Sequence, residues 1–496
     1  MKVLSVAAMR RWEEELISGG TAAEELMFNA GRNIAGVIRD RLLSCWQKRK
    51  LRQIVVVCGG GNNGGDGVVI AMELAKEFPV QCILTTPPAD MAPVARHFAK
   101  QFASAICREY PDGDEFPPNT LIVDAITGIG MHGPLRGKAL AWAEAVNASG
   151  CVTVAVDVPA GVDSEGVNNF TVRADLTVAA GAFKPCHFSS SAVGELEVVA
   201  ITDKCQEPPE DCNSEFEAVT ACDAASCFSA RKINGHKNLS GRVAVVAGSR
   251  KFGGAALLAA AGAQAGGAGM IRLITPAEAL IGRWVPPEII LAAVDGDHLG
   301  IRDANEIFAA AAVSDVLLFG PGVGTACESA ELAEKVYREC PVPVVADADA
   351  LNLLAGNPHW TCERQSPLIL TPHPGEALRL APETGELSRK EQALFIARKY
   401  NAVVILKGYQ SVIASPDGRL AVNTSGGPVL SVAGSGDVLA GFLAALLCGN
   451  DPYTAAKCAA WYHGRITACA DLGRGTTAGD LPELLKKVCA ENSWRY

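Results

Sequence analysis

Near the carboxyl terminus the run Ser431-Val432-Ala433-Gly434-Ser435-Gly436-Asp437-Val438-Leu439-Ala440-Gly441 passes from a glycine-rich turn into an apolar helix. Gly434 and Gly436 allow the backbone to aim its N–H groups at one point, which makes an anion cradle. The helix that follows adds its dipole, so a phosphate at its mouth gains ~0.3 to 2 kcal/mol before any side chain is counted. Asp437 falls in the first turn. A carboxylate beside a phosphate opposes binding and is kept mainly where chemistry needs a proton acceptor. The competing reading is an acidic residue favoured by the dipole alone, and for an isolated Gly-x-Gly-Asp the two are evenly matched. Lys407-Gly408, at the end of the apolar run 403–406, sets a cation where a nucleotide phosphate could use it, or else on the surface.

A second glycine cluster, Gly59-Gly60-Gly61-Asn62-Asn63-Gly64-Gly65-Asp66-Gly67, follows the β-branched strand 52–58 and precedes helical spacing over 68–77. It contains Gly-x-Gly-x-x-Gly in the strand–turn–helix setting that a dinucleotide site requires. No Lys-Ser/Thr follows to make a P-loop. The loop can hug a phosphate or ribose, with Asn62, Asn63 and Asp66 as polar groups. Two further strands, 121–124 and 151–157, end in Asp124 and Asp157. The carboxyl edge of a parallel sheet is where ligands sit, so both aspartates are expected near the glycine loop, the alternative for each being a turn or cap residue. The turns Gly128-Ile129-Gly130 and Pro159-Ala160-Gly161 come next, and Lys184 reads more readily as a solvated loop charge than as a ligand contact, which stays the lesser alternative.

The elements that must position these groups repeat one scheme. Helical patterns over 4–45 precede the first strand, strands at 80–85, 175–179 and 195–200 join those above, and helices fall near 90–104 and 135–148. From 202 to 221 the pattern dissolves into an acidic, proline-containing run, giving domains 1–210 and 222–496. A second cycle follows, with strands at 241–247, 270–275, 315–319, 342–346, 367–370 and 403–406. A small-residue helix is expected over 255–267, and helices over 452–471 and 481–490 finish the chain. Each strand delivers glycines or acids at its carboxyl end, as at Gly320-Pro321-Gly322-Val323-Gly324, Asp347-Ala348-Asp349 and Thr371-Pro372-His373-Pro374-Gly375-Glu376. The fold class is α/β in two domains, and each half carries what it needs to bury its own core.

Composition narrows the partners. Against 44 Lys and Arg stand 54 Asp and Glu, a formal charge of -10, with no basic cluster interleaved with aromatics, which argues against nucleic acid. The 17 cysteines show no Cys-x-x-Cys, and Cys58, Cys82 and Cys151 fall in apolar runs, as small buried hydrophobes in a reducing compartment. The longest membrane-span candidate, 254–271, is Gly/Ala-rich and contains Gln264, so no membrane partner and a cytoplasmic location are expected.

Taken together the motifs resemble the bifunctional NAD(P)H-hydrate repair enzymes over nearly the whole chain. The first half is similar to the NAD(P)H-hydrate epimerase domain, through 59–67, 124–137 and 156–163. The second is similar to the ADP-dependent NAD(P)H-hydrate dehydratase, through 320–324, 347–354, 371–376, Lys407-Gly408 and 433–441. The resemblance implies a Rossmann-like three-layer αβα domain followed by a ribokinase-like one. It implies Asp437 and Asp157 as catalytic groups, and Asn62, Asn63, Gly64, Gly65, Asp66, Gly128, Gly130, Ala255, Gly324 and His373, with Asp437, as contacts to hydrated NADH or NADPH. Lys407, Gly408, Gly434, Ser435 and Gly436 would hold ADP, Asn63 and Asp124 a K+ ion, with Mg2+ as a further ion and a homo-oligomer as the assembly. Two departures stand out: Ala160 replaces the family's usual Ser near the cation, and Ser425-Gly426-Gly427-Pro428 with Val432 replaces Gly-Asn-Pro-Gly and Thr. The alternatives are a ribokinase-class small-molecule kinase fused to a dinucleotide-binding domain, and a dinucleotide sensor without chemistry.

Overall fold

A computed structural model describes the chain except residues 45, 103, 108–115, 132, 164–169, 204–213, 229–239, 469–474 and 493–496. Residues 204–213 of the acidic run expected at the domain boundary lie outside the described residues. The chain divides into two compact units, Met1–Ala218 and Val219–Tyr496.

The first unit is built on β1 (Gln53–Cys58), β2 (Val80–Leu84), β3 (Ala105–Cys107), β4 (Thr120–Ala125), β5 (Val152–Val156), β6 (Leu176–Ala180) and β7 (Glu195–Val199). They lie in the order β3-β2-β1-β4-β5-β6-β7, with every neighbouring pair parallel. Strand direction of growth reverses between β1 and β4, which opens a crevice at their carboxyl ends. The sequence explains the sheet: β1 and β5 are near-continuous runs of Val, Ile and Ala, buried on both faces as a helix-covered parallel sheet requires. Helix Val6–Ser18 is capped by Ser5, whose hydroxyl accepts from Ala8 N–H at 3.1 Å. Its Met9, Trp12 and Leu16 pack with Leu26, Ala30, Ala182 and Ile201, so the amino-terminal helices bury apolar surface within their own unit.

The glycine-loop helix starts earlier than its composition suggests. It spans Asn62–Leu74, six residues ahead of the expected start, because Gly64, Gly65 and Gly67 lower helix propensity but are required by packing. A Cβ on Gly67 would lie 2.5 Å from Ala125 Cβ and 2.8 Å from Cys58 Sγ. The true loop is therefore only 59–61.

The division between units falls inside β8 (Glu217–Val219). The second unit carries β9 (Arg242–Val246), β10 (Met270–Pro276), β11 (Ile290–Val294), β12 (Val316–Phe319), β13 (Val344–Ala346), β14 (Leu368–Leu370), β15 (Val403–Leu406), β16 (Val412–Ala414) and β17 (Leu420–Asn423). They run β11-β10-β9-β12-β13-β14-β15-β16-β17, parallel through β15 and antiparallel from β15 to β17. Strand β11 has no apolar-in, polar-out alternation to betray it, and much of it is exposed. The expected helix 452–471 stops at Arg465, followed by one 3-10 turn, with 469–474 outside the described residues.

Two small-residue helices fix the cradle. Helix Gly253–Ala265 crosses helix Ser435–Leu447 so closely that a Cβ on Gly441 would stand 1.9 Å from Ala259 O, and one on Gly262 would stand 2.2 Å from Val438 O. The stretch weighed as a membrane span is this helix plus the start of β10, and no described helix is long and apolar enough to cross a membrane.

Candidate active sites

In the second unit the carboxyl ends of β13, β14 and β15 and the start of helix Ser435–Leu447 meet around one lysine. Lys407 Nζ donates to Asp347 Oδ1 at 2.7 Å and stands 3.9 Å from Glu376 Oε2. Asp347 is 1% exposed and also accepts from Thr371 Oγ1 at 2.7 Å. Burial works against the ammonium charge, but Asp347, Glu376 and Asp437 outweigh it and raise the Lys407 pKa. Gly434, at φ 91, is the left-handed residue that turns the chain into the helix, and a Cβ on Gly436 would lie 3.3 Å from Lys407 Nζ. Cradle, cation and Asp437 are thus one site.

Asp437 is half-buried. Burial first, then the neighbouring Asp347, with smaller contributions from Asp349 and Glu376, push its carboxyl up to about 7 against the pull of Lys407. A carboxylate poised near neutrality can take a proton in one step and return it in the next. Gly324 joins through its N–H, which donates to Asp349 Oδ2 at 2.9 Å. Ala255 borders the same turn, 3.1 Å from where a Cβ on Gly322 would stand. His373 caps helix Pro374–Leu380, its Nδ1 accepting from Gly375 N–H at 3.0 Å and Glu376 N–H at 3.3 Å. That fixes the neutral tautomer with the proton on the half-exposed Nε2. Burial, Lys407 and Arg379 lower its pKa.

Two expected nucleotide contacts are arranged otherwise than as side-chain donors in the cradle. Ser435 is buried with Oγ 3.3 Å from His463 Nε2, so it offers the cradle its backbone only. Gly408, at φ 145, is backed by Arg389, whose guanidinium donates to the carbonyls of Leu406, Lys407, Tyr409 and Gln410 and so holds the turn after β15.

In the first unit Asp157 is the focus. It is 8% exposed and has φ 63, a left-handed conformation uncommon outside glycine. Its Oδ1 accepts from Lys184 Nζ at 2.5 Å and from Ala180 N–H at 3.2 Å, and its carbonyl accepts from His187 Nε2 at 2.7 Å. Since His187 Nδ1 accepts from Lys184 N–H at 2.9 Å, the ring proton sits on Nε2, and burial holds the ring neutral, its pKa down at about 4. Oδ2 of Asp157 accepts no hydrogen bond among the described residues, so one lone-pair edge is left for a ligand. Lys184 is 1% exposed, which overturns its reading as a solvated charge; a lone lysine between two strands carries no sequence signal of burial.

The glycine loop contributes less open space than its composition promised. A Cβ on Gly64 would lie 1.9 Å from Gly59 O, and one on Gly65 would lie 2.5 Å from Met27 Sδ, so both glycines serve packing. Asn62, Asn63 and Asp66 occupy the first turns of the helix, and Asp66 is pushed well above the usual carboxylate range by burial and by Asp157 and Glu13. Asn63 Nδ2 donates to Thr127 O at 2.9 Å, and a Cβ on Gly128 would stand 3.0 Å from Asn63 Cβ, which ties the two turns together. Asp124 is fully buried, its oxygens accepting from Ile126 N–H at 3.1 Å and Ala160 N–H at 2.8 Å. Burial outweighs both bonds and lifts it to about 6. Gly130 sits apart from Asn63, against Arg10 of the first helix.

A parallel unit with a glycine turn, and a parallel unit in which a glycine-rich turn, a buried lysine and a carboxyl poised near neutrality converge, are the features of a two-domain α/β enzyme. The family model described as NAD(P)H-hydrate dehydratase matches residues 243–490, and that of the YjeF-related protein N-terminus matches 23–186. A bifunctional NAD(P)H-hydrate repair enzyme of Gloeobacter violaceus is 34% identical over 93% of this chain and 92% of its own. One of Salinibacter ruber is 33% identical over 99% and 96%. A Bacillus subtilis structure, an ADP/ATP-dependent NAD(P)H-hydrate dehydratase co-crystallised with ATP/Mg2+, is 28% identical over 56% of this chain and 99% of its own, with a TM-score of 0.48. The chain belongs to the family of bifunctional NAD(P)H-hydrate repair enzymes, with a first unit whose strand order is Rossmann-like and a second α/β unit on a mostly parallel sheet.

Proposed function

We propose that the first domain interconverts the R and S hydrates of NADH and NADPH, and that the second dehydrates the S hydrate at the expense of ADP, giving AMP and phosphate. The observation that carries the second half is Asp437 standing in the first turn after the cradle, with Lys407 Nζ 3.3 Å from the place of a Cβ on Gly436. Hydroxide leaves a saturated ring carbon poorly. In this reading Asp437 takes the proton of the hydrate hydroxyl as its oxygen attacks the terminal phosphorus of ADP, AMP departs, and the ring-nitrogen lone pair then expels phosphate. Lys407 and the N–H groups at 434–436 stabilise the charge on the moving phosphoryl group. Gly324, Ala255 and His373 would line the hydrate side, and Gly408 the adenine nucleotide. A ribokinase-class kinase would share the base and cradle but release a stable phosphorylated product. Recovery of reduced-nicotinamide absorbance from hydrated NADH with ADP, ATP or neither tests the reading, and a phosphorylated product without that recovery overturns it.

Asp437 must be ionised to act, so kcat/KM for dehydration should fall about tenfold per pH unit below a limb near 7. A profile flat down to pH 5.5, roughly, would remove Asp437 as the base.

The first domain offers a K+ ion a fitting set of oxygens. Asp124 is a buried carboxylate with no cationic partner among the described residues, and the Thr127 hydroxyl close by in sequence is buried without a partner. Asn63 and Asp124 would hold the ion, whose charge would keep Asp124 ionised. Ala160 supplies only its N–H to Asp124. Mg2+ would arrive with the nucleotide's phosphates, because no group of three or more His, Cys, Asp or Glu able to hold a metal occurs among the described residues. Restoring a hydroxyl by Ala160→Ser should tighten apparent K+ affinity by about fivefold, the worth of one ~1 kcal/mol contact, as read from epimerisation rate against K+ concentration. An unchanged K+ curve would show that the cation does not sit beside residue 160.

A further inference from the structure

The arginine behind the turn that follows β15 is placed by a local sequence signal. Ser388 caps helix Arg389–Tyr400: its hydroxyl accepts from Glu391 N–H at 3.3 Å, and its own N–H donates to Glu391 Oε2 at 2.9 Å. The capping box fixes Arg389 as the first helical residue, where the helix dipole opposes a cation. Arg389 is half-buried there and pairs with no carboxylate among the described residues. Its Nη2 donates to Leu406 O at 3.2 Å and Lys407 O at 3.3 Å, and its Nη1 donates to Tyr409 O and, at 3.4 Å, to Gln410 O. The one remaining carbonyl of the turn, Gly408 O, accepts from Ser411 Oγ at 3.0 Å. Gly408, at φ 145, admits the guanidinium because it has no side chain; a Cβ there would lie 2.8 Å from Nη2. Every peptide of the turn is trans, so a carbonyl drawn toward Arg389 aims the N–H of the next residue the opposite way. Lys407 O therefore turns the Gly408 N–H away from the guanidinium, and on this exposed residue that N–H has no acceptor among the described residues. Lys407 itself is anchored twice more, its N–H donating to Pro372 O at 2.8 Å and its Nζ to Asp347 Oδ1 at 2.7 Å.

Resting on the reading of Lys407 and Gly408 as nucleotide contacts, we propose that Arg389 is a positioning residue of the nucleotide site: by drawing the carbonyls of Leu406, Lys407, Tyr409 and Gln410 to one side, it presents the Gly408 N–H to a phosphate of ADP held beside Lys407 Nζ. A backbone donor favours an anion most when it is aimed before the anion arrives, since the ordering is then not charged against binding. Two residues of this turn are poorly held on their own: Gly408 has glycine's freedom, and Gln410, at φ 50, sits in a left-handed conformation that L residues rarely adopt. Without the guanidinium the turn relaxes, and re-forming it falls on nucleotide binding. The planar fork of arginine serves both pairs of carbonyls at once, which the single ammonium of lysine cannot do. Because its four acceptors are neutral, the guanidinium also keeps its charge uncompensated near an anionic ligand. The chemical step is spared, because Lys407 keeps its bonds to Pro372 and Asp347, and Asp437 belongs to another helix.

The test uses the full-length enzyme and the S hydrate of NADH, following reduced-nicotinamide absorbance while ADP and hydrate are varied in turn. Arg389→Met should raise KM for ADP about tenfold, the effect of one lost hydrogen bond to a charged group, with KM for the hydrate unchanged and kcat within about twofold of wild type. Arg398→Met, which removes the same charge from the exposed far end of the same helix, should behave as wild type. A KM for ADP within about twofold of wild type in Arg389→Met overturns the proposal. So does a rise shared equally by ADP and hydrate, or a loss confined to kcat, either of which makes Arg389 a structural residue of the fold. If Arg389→Met melts early, Arg389→Lys decides below its melting point: the ammonium keeps the charge but reaches only one pair of carbonyls, so KM for ADP should still rise about threefold or more, and a wild-type KM overturns the proposal. A wild-type enzyme whose dehydration does not depend on added nucleotide overturns the nucleotide reading as well.

Discussion

Asp437→Asn should bind adenine nucleotide as well as the wild type or better, while nucleotide-dependent dehydration falls by ~10² to 10⁴, the scale of a lost general base. A hundredfold loss is ~2.7 kcal/mol of barrier, far more than one polar contact at a half-exposed position would give. The nucleotide side follows from charge: Asp347, Glu376 and Asp437 act on Lys407, with Asp349 acting on Asp437, and taking one negative charge away relieves repulsion toward phosphate. Stability gives an independent check with its own sign. The folded-state pKa of about 7 lies above the ordinary aspartate value of 3.8, so ionising Asp437 destabilises the fold as pH rises through that window. Asparagine never ionises, so the variant should match the wild type near pH 4, roughly, and melt no lower than it at pH 8. Dehydration near the wild-type rate would remove Asp437 from the chemistry. Loss of nucleotide binding together with activity would make it a structural residue of the turn.

What could be read from the sequence was what repeats along a strand or sits in a fixed turn. The parallel sheets were legible because runs such as Val55-Val56-Val57 and Leu317-Leu318-Phe319 are apolar without alternation and end in glycine or acid. Gly434, Gly436 and Asp437 were legible because a phosphate cradle is local in sequence. Groups brought in by tertiary packing were not. Lys184 and Asp157 stand 27 positions apart, and the lysine alone looks like a surface charge; only the fold of the chain after β6 sets its ammonium on the Asp157 carboxylate. Asp347 and Glu376 were visible as strand-end acids, yet their hold on Lys407 follows from strand order. Gly64 and Gly65 erred the other way, since glycines that suggest an open loop here sit inside a helix because Gly59 O and Met27 leave no room for a Cβ.

Lys184→Met should be the most disruptive single change in the first domain. Methionine keeps the length and apolar stem of the lysine but removes the ammonium group, which donates to Asp157 Oδ1 at 2.5 Å and to Ala180 O at 3.0 Å. Asp157 is left as a buried carboxylate whose remaining donor to Oδ1 is Ala180 N–H. Removing one partner of a buried pair costs ~3 to 5 kcal/mol, which at ~2 to 4 °C per kcal/mol lowers the melting temperature of a domain this size by roughly 6 to 20 °C. Adding Asp157→Asn removes the stranded charge and should recover most of the stability, while epimerisation should stay lost if Asp157 is the catalytic group that the family resemblance implies. Dehydration by the second domain should persist in both variants below their melting points. A Lys184→Met protein that melts within a degree or two of wild type at neutral pH would show that Asp157 does not need this lysine, and would withdraw the cation from the center of the epimerase site.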